Sequence, residues 1–330
     1  MKKHHVYGIG NALVDMEIEV ETDFLEQNGI EKGVMTLVEE ERQHELLKKA
    51  SGLVHKRSCG GSAANTMIAI SHLGGRGFYS CKVASDETGD FYFADLVESG
   101  VQTNLHGERE SGITGKCMVF ITPDADRTMN TFLGITQNFS NLEIIKDELA
   151  DSEWLYIEGY LVTSPTGKAA AIEAYNHAKA NGVKTAITLS DPGMVEFFGD
   201  GIKEMMGDGV DLLFCNEDEA KKFSSKETVE EALEDLKKVA STIAITEGSK
   251  GALLFDGEKT IRIETKKVKA IDTNGAGDLF AGSFLYALTN NNDFKKAGEL
   301  ACACASELVT HFGARLKRDK LETIKSVVLD

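Results

Sequence analysis

The chain has few cations for its acids: 36 Lys and Arg against 53 Asp and Glu, a formal charge of −17 at pH 7. That balance argues against a nucleic-acid phosphate track or an anionic membrane surface as partner. Any phosphate-bearing ligand must then be held by local dipoles, a few placed cations and a metal. Long apolar runs are missing too. No stretch approaches membrane-spanning length, and Met1-Lys-Lys-His-His-Val-Tyr-Gly8 has no apolar run of signal-peptide length. The six cysteines, Cys59, Cys81, Cys117, Cys215, Cys302 and Cys304, include no CxxC pair. They read as small buried hydrophobes in a reduced, cytoplasmic protein. The histidines show no metal spacing, and His4-His5 reads as a solvated tail. Neither a Walker A lysine nor a protein-kinase glycine-rich loop is present, which disfavours those classes. No repeat, low-complexity tract or long linker appears.

What is present fits an ordinary globular protein. With 330 residues, 42% hydrophobic and 27% charged, the chain can form one large α/β domain with an appendage, or two small domains. Val6–Gly10 reads as a buried first strand. Met16–Val20 alternates apolar and charged residues, as a strand with one wet face does, and Gly33–Val38 is similar. Glu39–Lys49 is a charged amphipathic helix. Lys116–Thr122 and Thr128–Leu133 flank the turn-rich Pro123–Arg127 with no helix between them, so they form a hairpin. From residue 141 on, strands and helices alternate, which predicts a mostly parallel sheet covered on both faces. The expected division is a core of residues 1–15, 40–107 and 135–330, with a β lid of residues 16–39 and 108–134.

The densest signal is Ile271-Asp-Thr-Asn-Gly-Ala-Gly-Asp-Leu-Phe-Ala-Gly-Ser283. Gly275, Ala276 and Gly277 let a ligand approach the backbone closely, and the apolar run from Leu279 reads as a helix. A helix opened by small residues aims N–H groups and partial positive charge outward, where a phosphate in transfer can be held. Asp278 beside it can take a proton from an attacking hydroxyl. The plain alternative is a glycine-rich turn with Asp278 as a cap. Other polar or glycine-rich strand ends are Asn11–Asp15, Asn216-Glu217 and Thr246–Gly251. Ligands gather at such ends in open α/β sheets. Asn11, Asp15, Gly60, Gly61 and Asn65 suit a polyhydroxylated ligand, a carboxylate acceptor pairing with an amide that both gives and takes. Read singly, the glycines are a helix entry, Asp15 a cap, Asn216-Glu-Asp-Glu219 a solvated helix start, Thr246–Gly251 a β-turn and Arg127 a surface cation.

Asp272-Thr-Asn-Gly-Ala-Gly-Asp278 closely resembles the C-terminal signature of the ribokinase-like (PfkB) carbohydrate and nucleoside kinases. Asn274 stands where that family usually has threonine. Gly60-Gly-Ser-Ala-Ala-Asn65 resembles the N-terminal signature, and the resemblance covers nearly the whole chain. It implies a three-layer α/β/α sandwich with a small β lid, and ATP-dependent phosphoryl transfer to a primary hydroxyl. Asp278 would be the base, and Gly275, Ala276 and Gly277 the anion hole with the amide of Asp278. Asp15, Gly61 and Asn65 would bind substrate. Asn216 and Glu219 would organise Mg²⁺ through water, and Thr246, Gly248 and Gly251 the nucleotide. Asp126-Arg-Thr-Met-Asn130 looks like the lid segment that carries an arginine, placing Arg127 near the transferred phosphate. Many members of the family also bind a monovalent cation such as K⁺, for which Asp272 and the loop around Gly313 are candidate surroundings.

Asn11-Ala-Leu-Val-Asp15, Arg127–Gly134 and Tyr156–Tyr160 look closer to adenosine kinases than to ribokinases. Met35, Leu37, Phe132 and Tyr160 would enclose a purine, unless they are lid-core packing. The runner-up is a kinase of ribose, fructose or 2-keto-3-deoxygluconate. A more distant alternative is an inactive nucleotide-sensing protein. The expected partners are small molecules, with the chain a monomer or homodimer.

Overall fold

A computed structural model of the chain describes residues 2–124 and 127–329. The strands, in chain order, are β1 (His4–Ile9), β2 (Leu13–Glu19), β3 (Met35–Leu37), β4 (Val54–Gly60), β5 (Gly77–Ser80), β6 (Gln102–Thr103) and β7 (Thr114–Ile121). They continue with β8 (Arg127–Gly134), β9 (Ser152–Ile157), β10 (Lys184–Thr188), β11 (Val210–Asn216), β12 (Ala240–Thr246), β13 (Ala252–Phe255) and β14 (Thr260–Ile263). Among the described residues, nine of these form one sheet in the order β14-β13-β12-β11-β10-β9-β1-β5-β6. From β12 to β6 every pairing is parallel, and β13 and β14 add antiparallel strands at one edge.

The central strands are nearly continuous apolar runs because helices cover both faces. Met67, Phe214, Phe280 and Phe284 pack on one side, where the Ser62–His72 and Ala276–Thr289 helices lie. Ile157, Ile187, Leu213 and Ile243 pack on the other, against the Pro165–Ala180 and Pro192–Met206 helices. All six cysteines are free and buried, as expected of small hydrophobes. No helix among the described residues is long and apolar enough to cross a membrane.

His4 and His5 belong to β1 and are not a tail: they are 0% and 6% exposed, and the His4 ring bonds Glu148 at 2.6 Å. Parallel pairing with β9 begins at His4 and draws both imidazoles inside.

The lid is a five-stranded mixed sheet among the described residues, in the order β3-β8-β7-β2-β4. β7 and β8 are the expected hairpin. The lid also takes β4, which the sequence reading assigned to the core. Val54-His-Lys-Arg-Ser-Cys-Gly60 shows no apolar alternation, and it pairs with β2 at the sheet edge. The outer lid face packs Ile18, Met118 and Phe120 against Leu25 and Leu46 of two short helices. The inner face turns toward the carboxyl ends of β9 to β12. Between the layers lies a cleft of about 800 Å³.

Candidate active site

The floor of the cleft is the turn that opens the Ala276–Thr289 helix. Gly275 caps the helix with φ +73° and no side-chain acceptor. A Cβ there would meet the Ala314 backbone, with the carbonyl oxygen at 2.6 Å. Gly277 differs, since nothing lies within 4 Å of where its Cβ would be. Ala276 N–H donates back to Thr273 O at 3.3 Å, so the amides of Gly277 and Asp278 are the turn's better-placed donors. Both residues line the cleft.

Asp278 sits in the first helical turn, partly exposed to the cleft. Its Oδ1 accepts from Ser62 Oγ at 2.7 Å and its Oδ2 from Asn65 Nδ2 at 3.0 Å. Two donors leave further lone pairs of the carboxylate toward the cleft. Desolvation raises its pKa, opposed by those two bonds and by the Arg315 charge. A carboxylate raised toward neutral pH is a better general base.

The Ser62–His72 helix carries both donors. Its N-cap, Gly61, has φ +93°, and a Cβ would strike Asn11 O at 2.3 Å. Gly60 does not line the cleft. A side chain there would meet the Asp15 carboxylate at 2.2 Å, so its role is to leave room for Asp15. Strand alternation turns Leu13 and Asp15 of β2 into the cleft and Val14 and Met16 away from it. Burial pushes the Asp15 pKa up to about 7, against the pull of Arg315. Asn11 reaches the cleft while Thr136 Oγ bonds its Oδ1 at 3.4 Å.

Sequence reasoning missed Glu158, which is 1% exposed and lines the cleft beyond β9. It accepts from Ala63 N at 2.7 Å and Asn11 N at 3.2 Å, and burial raises its pKa to about 8. Ser62 and Arg315 were missed as well. Ser62 and Glu158 lie inside motifs already singled out. Arg315, two residues past Gly313, had no local signal.

On the lid side, Arg127 lines the cleft but is ion-paired with Asp272 of the core. Asp126, part of the same lid motif, lies outside the described residues. Met35, Leu37 and Tyr160 line the cleft as expected. Phe132 does not. On β8 the residues facing the cleft are Arg127, Met129, Thr131 and Leu133, so period-2 alternation puts Phe132 on the opposite face.

Thr246, Asn216 and Glu219 line the far end of the cleft, whereas Gly248 and Gly251 do not. Gly251 shapes the turn into β13, with φ +105° and Ile263 O 1.9 Å from a would-be Cβ. Asn216 and Glu219 form a capping box: Glu219 accepts from Asn216 N at 3.0 Å and Nδ2 at 2.6 Å. The described residues hold no group of three or more His, Cys, Asp or Glu that would enclose a metal. A single buried carboxylate facing the cleft does suit an ion that keeps its waters and is anchored mainly by phosphates. Burial lifts the Glu219 pKa to about 7. Asp272 is a poor fit for a monovalent cation, because Asn274 N, Gly313 N and Arg127 already donate to it.

A carboxylate beside a glycine-rich helix opening, roofed by a lid that carries an arginine, is an arrangement that phosphoryl transfer to a hydroxyl calls for. Residues 35–321 match the pfkB family carbohydrate kinases, and the chain belongs to that family. It is an ATP-dependent kinase with a hydroxyl group as acceptor. Adenosine kinase of Schizophyllum commune is 25% identical, over 98% of this chain and 100% of that protein. The solved structure of adenosine kinase from Sinorhizobium meliloti has 34% identity and a TM-score of 0.90, covering 98% of this chain and 99% of its own. That of a probable sugar kinase from Rhizobium etli has 31% identity and a TM-score of 0.92, covering 99% of both chains.

Proposed function

We propose that the protein transfers the γ-phosphoryl group of ATP to the 5′-hydroxyl of adenosine. The observation that carries this reading is the pairing of Asp278 with a largely apolar lid face. Met35, Leu37, Met129 and Leu133 offer a purine the apolar contact its faces need. The adenosine kinases among its relatives point the same way.

In this mechanism Asp15 and Asn65 hold ribose hydroxyls, and Asp278 accepts the 5′-hydroxyl proton. The oxygen attacks the γ-phosphorus, the bond to the β–γ bridging oxygen breaks, and ADP leaves with the electron pair. The amides of Gly277 and Asp278 stabilise charge on the transferring group. Mg²⁺, bound through water near Glu219 and Asn216, would neutralise charge on the phosphates. Arg127 serves the same end from the lid, once released from Asp272. Thr246 borders the nucleotide.

A free sugar is the second reading, favoured by Glu158, Thr131 and Thr163, which also face the cleft, and by the likeness to the probable sugar kinase. The test incubates native enzyme and Asp278→Asn with γ-labelled ATP, Mg²⁺ and adenosine. Labelled 5′-AMP from the native enzyme alone supports the reading. Its absence, with labelled product appearing from a free sugar, sinks the nucleoside assignment.

A further inference from the structure

Three consecutive residues near the C-terminus tie the two halves of the catalytic floor together. Gly313 N donates to Asp272 Oδ2 at 2.7 Å. The Ala314 backbone fills the space beside Gly275. Arg315 then reaches across to the Ser62–His72 helix, its Nε donating to Asn65 Oδ1 at 3.0 Å. The other ends of the guanidinium are fixed: one bonds Asp95 Oδ2 at 2.6 Å and the other Cys59 O at 2.5 Å. Asp95 lies on the Glu87–Glu98 helix and Cys59 on β4.

We infer that Arg315 is the positioning residue of the reaction, setting the orientation of Asn65 and through it the proton-accepting face of Asp278. The chemistry is one-directional. A guanidinium donates only and has no acceptor. With Arg315 against Oδ1, the Asn65 amide can present only its NH₂ group to Asp278. Flipped, it would turn that NH₂ toward a cation and its oxygen toward a carboxylate, and both contacts would be repulsive. Asn65 is 6% exposed, so no bulk water offers a substitute partner. The donor from Asn65 and the one from Ser62 fix the rotation of the planar carboxylate, which decides where the remaining lone pairs point. The same positive charge lies near Asp15 and Asp278 and favours the ionised form of each. Asp278 on the floor and Asp15 on the lid strand β2 therefore both feel the charge of one side chain that bonds to neither.

Lysine cannot replace this arrangement. It supplies charge but not three donors in a fixed fork. The inference rests on the kinase reading and on Asp278 as base, but not on adenosine, so the test uses whichever acceptor the native enzyme turns over fastest. Arg315→Ala, Arg315→Lys and Asp95→Asn are compared with native enzyme by kcat, both KM values, the pH dependence of kcat and melting temperature. Asp95→Asn removes the negative charge opposite Arg315, keeps an amide oxygen that can accept from it, and leaves its bonds to Asn65 and Cys59 in place. Loss of geometry at the base is expected to lower kcat about 10- to 100-fold in Arg315→Ala, with the KM for ATP unchanged. The acid limb of its kcat profile moves to higher pH, because the cation that favours ionised Asp278 is gone. Arg315→Lys keeps the acid limb near its native place but recovers only part of kcat, and Asp95→Asn stays within about threefold of native. An Arg315→Ala enzyme that melts lower yet keeps native kcat and pH profile would make Arg315 a scaffold residue and overturn the inference. So would an Asp95→Asn enzyme that loses as much kcat as Arg315→Ala.

Discussion

Arg127 on lid strand β8 is ion-paired with Asp272 of the core, and the two side chains are 12% and 1% exposed. The Asp272 carboxylate also accepts the N–H groups of Asn274 and Gly313. The lid's cation is thereby fastened to the loop that leads into the Gly275–Asp278 helix opening. Arg127→Ala is expected to lower kcat about 10²- to 10³-fold, as loss of a transition-state donor does. Arg127→Lys recovers part of it. Asp272→Ala also lowers the melting temperature, since it strands three donors around one buried position. Steady-state kinetics beside thermal melts separate the two effects.

The two glycines of the turn are required for different reasons. Gly275→Ala must hold a side chain at φ +73° against the Ala314 backbone, and it destabilises the fold by at least about 1–2 kcal/mol. Gly277→Ala meets no protein atom, so it melts as the native protein does. Under the proposed mechanism its methyl group takes space reserved for the γ-phosphate, and kcat/KM is expected to fall. Equal melting losses in the two variants would contradict this division.

Phe132 and Met129 provide a second contrast, three residues apart on β8. Met129→Ala raises the KM for the nucleoside about tenfold and leaves stability close to native. Phe132→Ala removes a ring from the outer side of the lid sheet. It costs about 3–5 kcal/mol of stability and shifts KM little. A nucleoside titration and a urea melt on each variant decide the matter.

Glu158 makes stability depend on pH. Its folded pKa, about 8, lies above the ordinary value of 4.5. The stability it contributes is therefore fully present below about pH 4.5 and is lost as pH rises through about 8. Asp15 and Glu219, each raised to about 7, act in the same direction. Melting temperature should fall between pH 5 and pH 8.5. The fall should be shallower in Glu158→Gln, which stays neutral and keeps one carbonyl acceptor for Ala63 N–H. An unchanged slope in that variant would remove Glu158 from the account.

Much of this was legible because local chemistry and global position coincide. The Gly275–Asp278 turn needs glycine for backbone reasons, with Gly275 at φ +73° against Ala314, and the carboxylate that the proposed chemistry calls for stands in the same run of four residues. The parallel core announced itself through apolar runs separated by amphipathic helices. What escaped depends on long-range contacts. Arg315 meets Asn65 at a sequence separation of 250, and nothing beside Arg315 in the chain marks that meeting. β4 escaped because an edge strand need not alternate. Phe132 was misplaced by composition: an aromatic on a lid strand invites a stacking role, but its even register with Thr128 and Asn130 faces it away from the cleft. His4 and His5 looked like a tail because they are polar and terminal. Pairing with β9 and the Glu148 carboxylate supplied the partners that let them be buried.

The most direct test of the central claim is kcat/KM of the native enzyme for adenosine measured beside that for ribose, with ATP and Mg²⁺ saturating. An apolar lid that binds the base adds binding energy a free sugar cannot claim. The account expects adenosine to exceed ribose by at least about 100-fold, as a buried apolar group in a fitted pocket allows. A ratio near one, or a preference for ribose, would contradict it and make the lid a cover for a sugar.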